Sequence, residues 1–496
     1  MAGIGGIFRR KSVAQIQAEH EHGELKRSLG ALNLVLLGIG CIIGTGIFVL
    51  TGHAAAEWAG PGIMISFVIT GLLCAFVALC YAELASALPV SGSAYSYSYA
   101  SMGEGVAWIM GLLLLLEYGL AASTVAVGWS GYVISLLHDM HISIPLALTA
   151  APGPIKVAGV VVGHGIMNLP AIIGIVAVTA LLVVGITETA RANNIIVFIK
   201  LAVVLAFIIV CSRFVHPALW HPLVPAEVPA PPPGTPMDLP HQVGRALMDV
   251  ITGKKSSHYG LGGVIHGAAV IFFAYIGFEA VSTAGAESKN PGRDMPIGIL
   301  GALVICTILY IATSAVLVKI GAIAGLSSVM LVLLYGQTRI FYTMSRDGLL
   351  PSSLAVVHKR FKTPWINTII VGLTAVGAAG FLSLDTLSDL TNVGSLAAFA
   401  IVCITVIYLR VSAPGMARPF RTPLFPLTPI LGALMCLFLL MSLMAIPTTR
   451  NFFLIYLAVG IVLYFAYGMR NSKLGKGLTV EGHEAEPMEL PGGEEP

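Results

Sequence analysis

The sequence predicts an all-α integral membrane protein with twelve transmembrane helices. Three observations carry that prediction. Of 496 residues, 56% are hydrophobic and 10% are charged, against about 25% charged in soluble domains. Twelve separate runs each approach the roughly 20 apolar residues that a helix needs to cross a bilayer. The first run also holds Gly38, Gly40, Gly44 and Gly46, four glycines in nine residues.

The runs lie at 33–51, 63–83, 106–136, 170–189, 192–212, 263–285, 296–317, 318–342, 366–384, 393–410, 424–446 and 452–469. The third is long enough to tilt or to extend beyond the bilayer. An even number of spans puts both termini on one side. With the termini in the cytoplasm, 19 Lys and Arg fall on inside segments, 6 on outside segments, and 2 (Lys200 and Lys319) within spans. The positive-inside rule then favours cytoplasmic termini. No apolar stretch before a small-residue cleavage site opens the chain, so the first span is expected to serve as its own insertion signal.

Composition also narrows the function. A net charge of +3 is too small to suggest nucleic acid as a partner. The seven cysteines fall in or beside apolar runs without metal-ligand spacing, and read as small apolar residues. His20-Glu21-His22 lies in the polar N-terminal arm and reads as solvated. No phosphate loop, H-E-x-x-H motif or nucleophile–base pattern is present. The chain is therefore read as no enzyme, with no cofactor and an ion gradient or substrate exchange as its energy source.

The glycine run matters because each Gly in a helix costs about 1 kcal/mol relative to Ala, and freed backbone groups at membrane depth need partners. A broken span implies something there to bind. In transporters, half-helix N-termini face anionic substrate groups. The sixth span carries Phe272-Phe273-Ala274-Tyr275-Ile276-Gly277-Phe278-Glu279 at the matching position of a second half. Interrupted spans at matching positions point to an inverted-repeat transporter, although the aromatics alone would read as core packing.

Three ionisable residues within spans are candidates. Lys200, about nine residues into the fifth span, is either a proton-exchanging group or a lysine that snorkels or pairs structurally. Glu117 in the third span could pair with a substrate ammonium or a cationic side chain, or bond to a broken helix. Glu279 follows the sixth-span break and could gate the pathway or cap freed amides. Arg339 and Arg346 read as topology and capping at a cytoplasmic helix end.

The remaining segments are less apolar. Residues 215–240 hold nine prolines and read as an extended outer loop. Val243, Ala246, Leu247, Val250 and Ile251 after it suggest a short interfacial helix. From Gly477 the tail has six glutamates and no Lys or Arg, and is expected to be disordered. Residues 297–338 carry one charge, Lys319. As one helix they would span about 63 Å, twice a bilayer core, so a turn is expected near 314–321.

These motifs together resemble bacterial members of the amino acid–polyamine–organocation (APC) superfamily, in particular its cationic amino acid transporter (CAT) branch. The resemblance runs from about Leu25 to Tyr467. Its carriers are Gly38-Ile39-Gly40 with Gly44-Thr45-Gly46-Ile47-Phe48, Pro89-Val90-Ser91-Gly92-Ser93-Ala94-Tyr95, Leu116-Glu117-Tyr118-Gly119, Phe273 to Phe278, Asn290-Pro291-Gly292-Arg293-Asp294-Met295-Pro296, and Tyr335-Gly336-Gln337-Thr338-Arg339.

The resemblance implies two inverted five-helix repeats plus two helices. The divisions are a cytoplasmic arm (1–32), a first repeat (33–212), a Pro-rich outer loop (213–262), a second repeat (263–410), two further spans (411–470) and the acidic tail (471–496). It implies a midplane site between the first and sixth spans. There Thr45 and Gly46 would hold the substrate carboxylate, as a helix N-terminus does. Carbonyls of Ile42, Phe273, Ala274 and Ile276 would take the ammonium, Gly44 would permit close approach, and Phe273 would act as a gate.

Lys200 matches the lysine of proton-coupled members, where sodium-coupled relatives hold a metal ion. The expected activity is proton-coupled import of cationic or small neutral L-amino acids by alternating access at the plasma membrane. Exchange without net proton coupling, or sensing without transport, are the alternatives. The expected partners are the amino acid and the bilayer. Whether a small single-span protein or a sterol-like lipid also binds is left open. The chain departs from the family pattern in carrying Glu279 in place of an aspartate, and in the near-direct passage at Leu317-Val318.

Overall fold

The structure is a computed structural model that describes residues 7–11, 29–44, 46–157, 160–184, 189–213, 215, 220–228, 248–249, 258–317, 327–358 and 363–477. Thr45, Lys319, most of the N-terminal arm, most of the Pro-rich loop with its expected interfacial helix, and the acidic tail beyond Gly477 lie outside the described residues. So does the chain from 318 to 326, which holds part of the expected turn.

Helices follow the apolar runs. In chain order they are α1 (Ala31–Ile42), α2 (Ile63–Ala87), α3 (Ser93–Ser101), α4 (Glu104–Asp139), α5 (Leu169–Val184), α6 (Thr189–Ser212), α7 (Gly260–Ile271), α8 (Pro291–Leu317), α9 (Ser327–Arg346), α10 (Trp365–Phe381), α11 (Leu384–Ser412), α12 (Leu427–Met444) and α13 (Pro447–Leu463). Among the described residues, seven helical stretches are long and apolar enough to cross a membrane, and four shorter ones are apolar. The longest single helix, α4, has 36 residues. At 1.5 Å per residue it measures about 54 Å, so it overshoots a bilayer core as the length of its run suggested.

Local chemistry sets several ends. The Ser383 hydroxyl accepts the Thr386 N–H at 3.3 Å and caps α11. Pro447 opens α13, where a missing N–H costs nothing. α1 has no such stop signal. It ends at Ile42, Ile43 turns extended, and helical turns resume over Gly46–Leu50, Thr51–Ala54 and Ala55–Ala59.

One expectation is corrected. The chain is not wholly α: between α4 and α5, β1 (Gly153–Val157) pairs antiparallel with β2 (Val160–Gly165), from Gly153 opposite Gly165 to Val157 opposite Val160. Pro154-Ile155-Lys156-Val157 and Val160-Val161-Val162 are rich in β-branched residues, which suit a strand. Runs this short fall below the length that marks a span.

α8 packs along α1 and α2, α11 along α4 and α12, and α9 on α4. The interior is one continuous apolar core. Large apolar side chains also cover the outside, among them Leu72, Ile308, Leu373, Ile455 and Val462, the surface expected where lipid is the solvent. All seven cysteines are buried and free. At one end of the bundle Glu83 joins three segments. It accepts from Arg410 Nε at 2.9 Å and Nη2 at 2.6 Å, and from the Thr422 N–H at 2.7 Å.

Candidate functional site

The two interrupted stretches meet backbone to backbone. After α7, a tight helical turn over Phe272–Tyr275 ends at Ile276, and a second runs over Glu279–Glu287. Gly277 between them has φ +121°, a conformation that costs other residues strain. A Cβ there would also sit 2.8 Å from the Cys41 Cβ. On the other stretch, a Cβ on Gly46 would lie 2.2 Å from the Cα of Ala274. Glycine at both positions is what lets the two breaks close on each other.

Beside this crossing is a small cavity, with free space for about one water molecule. Cys41, Ile42, Gly44 and Gly46 line it from the first stretch, and Phe273 and Ile276 from the second. Ala121 and Val125 of α4 and Leu333 of α9 complete the wall. Five residues singled out from the sequence (Ile42, Gly44, Gly46, Phe273 and Ile276) therefore come together. Thr45 lies outside the described residues, between two that line the cavity. Ala274 backs Gly46 rather than facing the cavity. Glu117 and Glu279 are not among the lining residues; both are fully buried. Among the described residues, no lining side chain carries a charge.

Lys200 reaches the end of α1 from α6. Its Nζ donates to the carbonyls of Gly40 at 3.2 Å and Ile43 at 3.0 Å, and the residue is 2% exposed. Carbonyls at a helix C-terminus have lost their intrahelical partners and carry partial negative charge. An ammonium satisfies both needs. Glu279 does the reverse on the second stretch: its two oxygens accept the Gly277 N–H at 3.1 and 2.9 Å. Phe273, the expected gate, is 5% exposed in the cavity wall.

Two residues that the sequence reading missed serve the same breaks. The Tyr310 hydroxyl of α8 is 2.6 Å from the Ile42 carbonyl and 2.8 Å from the Ala274 carbonyl. A hydroxyl has one proton to donate, so it alternates between or shares the two. Those are two of the four carbonyls expected to take a substrate ammonium. The Asn392 amide of α11 donates to the carbonyls of Ala269 at 3.0 Å and Val270 at 3.2 Å, at the end of α7. Tyr310 is a polar group in an otherwise apolar run, a signal that could have flagged it; Asn392 stands just before its run, after Ser388, Asp389 and Thr391, and carried no such signal.

Comparison with known proteins decides the family. A model of the amino acid permease family matches residues 33–321, and a second amino acid permease model matches 313–465. The chain belongs to the amino acid permease family. It is 43% identical to a methylthioribose transporter of Bacillus subtilis and 43% identical to the branched-chain amino acid permease BcaP of the same organism. Each alignment covers 95% of this chain and 100% of the relative. It is 34% identical to the vacuolar cationic amino acid transporter 4 of Arabidopsis thaliana, over 83% of this chain and 68% of the relative. The resemblance to the APC superfamily is thus met. With its many apolar helices, the chain is a multi-pass membrane transporter.

Proposed function

We propose that this permease is a proton-coupled importer of L-amino acids that works by alternating access. Its substrates have small or branched apolar side chains. Twelve spans cross the plasma membrane with both termini in the cytoplasm, and the first and sixth are broken at the site. The distribution of Lys and Arg supports the orientation.

The observation that carries the substrate reading is the cavity wall. Gly44 and Gly46 stand where helix resumes, so amides there can receive a carboxylate. The wall beyond is Ala121, Val125 and Leu333. A cationic side chain there would meet no carboxylate and would lose its hydration unpaired. An aliphatic one gains about 25 cal/mol for each Å² it buries. The full-length likeness to a branched-chain amino acid permease points the same way. The expected cationic preference has no support in the wall, since Glu117 stands outside it.

Lys200 supplies the proton step in this reading. Charged, it holds the carbonyls of Gly40 and Ile43 and draws α6 to α1. Neutral, it releases them, so its protonation biases one facing state while substrate biases the other. The test is uptake of labelled leucine, alanine, arginine and methylthioribose into proteoliposomes. Leucine or alanine is expected to outcompete arginine at least tenfold. Preference for arginine, or for methylthioribose, would overturn the substrate reading.

A further inference from the structure

The far end of the first interrupted stretch is capped from elsewhere in the chain. Beyond the break that stretch runs helically from Gly46 to Ala59. Carbonyls in a last helical turn have no partner within the helix. The Ala55 carbonyl takes the Gly60 N–H. The next three go to two adjacent residues that lead into α7. The Tyr259 hydroxyl donates to the Ala56 carbonyl at 2.8 Å, His258 Nδ1 to the Glu57 carbonyl at 2.6 Å, and the Tyr259 N–H to the Trp58 carbonyl at 2.7 Å. Tyr259 sits at φ +63°, ψ −166°, a region nearly confined to glycine that costs about 1–3 kcal/mol and persists where surrounding contacts hold it.

The two residues are held from behind. His258 exchanges both backbone hydrogen bonds with Val228, at 2.8 and 2.9 Å, and the Gly260 N–H reaches the Pro225 carbonyl at 3.0 Å. The Trp58 ring stacks on His258, with centroids 4.6 Å apart and planes within 8°, and meets His266 of α7 at 4.0 Å. A Cβ on Gly263 of α7 would lie 2.2 Å from the Trp58 carbonyl oxygen, so glycine there lets the two elements touch. The far half of the first stretch is thus tied to the start of α7, the helix that leads to the second break.

A carbonyl has no proton to give, so His258 Nδ1 is the donor, and Nε2 is left to gain or lose a proton. Charging the ring strengthens three contacts at once. A charged donor makes a hydrogen bond roughly twice as strong. A cation is favoured at a helix C-terminus, and a cation over an indole face is attracted to it. Among the described residues, the titratable groups on the packed elements are Glu57 on the first stretch, Glu227 beside Gly260, Tyr259, and His266 on α7. The two carboxylates favour a charged His258. A second charge on His266 would oppose it, and His266 is the enclosed one, at 5% exposure.

We propose that His258 and Tyr259 are positioning residues for the transport cycle, a latch that holds the far half of the first stretch against α7 and tightens when the medium on that side is acidified. This rests on the proposed orientation, in which that end of the bundle faces outward. Histidine changes charge between about pH 5 and pH 8, so the latch is tight at the acid end of that range and loose at the other. Opening toward the outside, the step that admits substrate, is therefore slower in acid.

The test uses Cys41, which lines the cavity and so reports outward opening. Intact cells expressing the full chain are treated with a membrane-impermeant thiol reagent at about pH 5.5 and about pH 8. The protein is then purified and Cys41 labelling is read by peptide mass, with Cys41→Ala as background. His258→Asn keeps an amide nitrogen near the position of Nδ1 but cannot take a charge. The wild-type rate is divided by the His258→Asn rate at the same pH, which cancels the reagent's own response to pH. That ratio is expected to be near one at the higher pH and to fall about fivefold in acid. Tyr259→Phe, which removes one latch bond and no charge, is expected to label about fivefold faster than wild type at both. Should His258→Asn not reach the membrane, His258→Gln takes its place, and Tyr259→Phe still decides the latch. A ratio that does not change with pH, or a Tyr259→Phe rate no faster than wild type, would overturn the proposal. Everted vesicles separate the two readings: a pH-dependent ratio seen there and not in cells keeps the latch and rejects the proposed orientation.

Discussion

The crossing of the two breaks is set by single atoms. A methyl group on Gly46 would occupy the space of the Ala274 backbone, and backbone cannot swing aside as a long side chain can. Gly46→Ala is therefore expected to abolish uptake while the protein still reaches the membrane, checked by transport against expression level. Gly277→Ala adds backbone strain to a clash with Cys41 and is expected to cost about 1–3 kcal/mol, read from thermal unfolding in detergent. Tyr310→Phe removes the hydroxyl that serves two buried carbonyls and leaves the packing, so stability is expected to fall by about 1–3 kcal/mol, read from thermal unfolding, with a change in KM of at least fivefold. Ala121→Leu fills the cavity wall; leucine uptake is expected to fall far more than glycine uptake, measured as a ratio of the two.

Much of this residue-scale picture was readable beforehand. The glycines mark where α1 ends at Ile42, and Phe273 to Gly277 where the helix after α7 tightens and ends, because glycine and a cluster of aromatics stand out within an apolar run. Tyr310 and Asn392 did not stand out. Their partners are 36 to 268 residues away in the chain, a pairing that only the packed helices bring about. Glu117 was read as a partner for a substrate ammonium or a cationic side chain, or as a bond to a broken helix; it is fully buried and is not among the residues that line the cavity.

At the scale of elements, apolar length placed the helices and failed on the hairpin. Five- and six-residue strands carry too little sequence to be told from a loop by hydropathy. The ion-pair cluster at Glu83 is a further element-scale feature. It ties the end of α2 to the end of α11 and to Thr422 before α12. Glu83 is 2% exposed and pairs with Arg418 Nε at 3.5 Å as well as with Arg410. Arg410→Ala removes its two shortest charged contacts but leaves Arg418, so it is expected to destabilise the protein by about 1–3 kcal/mol, seen as a lower unfolding temperature, whereas the nearby exposed Val411→Ala is expected to have little effect.

At the scale of the molecule three features lie together: a site between two interrupted stretches, a wall without charge among the described residues, and a lysine on α6 that holds α1. In the proposed mechanism the charge of Lys200 decides whether α6 and α1 are drawn together, so Lys200→Ala is expected to lose acid-stimulated accumulation. Exchange of external for internal substrate can continue, since the cavity wall does not include Lys200.

The most direct test is uptake of labelled leucine by proteoliposomes holding the full chain, with the outside either acidified or matched to the inside. Accumulation above equilibrium is expected only under the inward proton gradient, and is expected to be lost when a protonophore is added and in Lys200→Ala. Equal leucine uptake with and without the gradient, or an acid response that survives Lys200→Ala, would contradict the proposed mechanism.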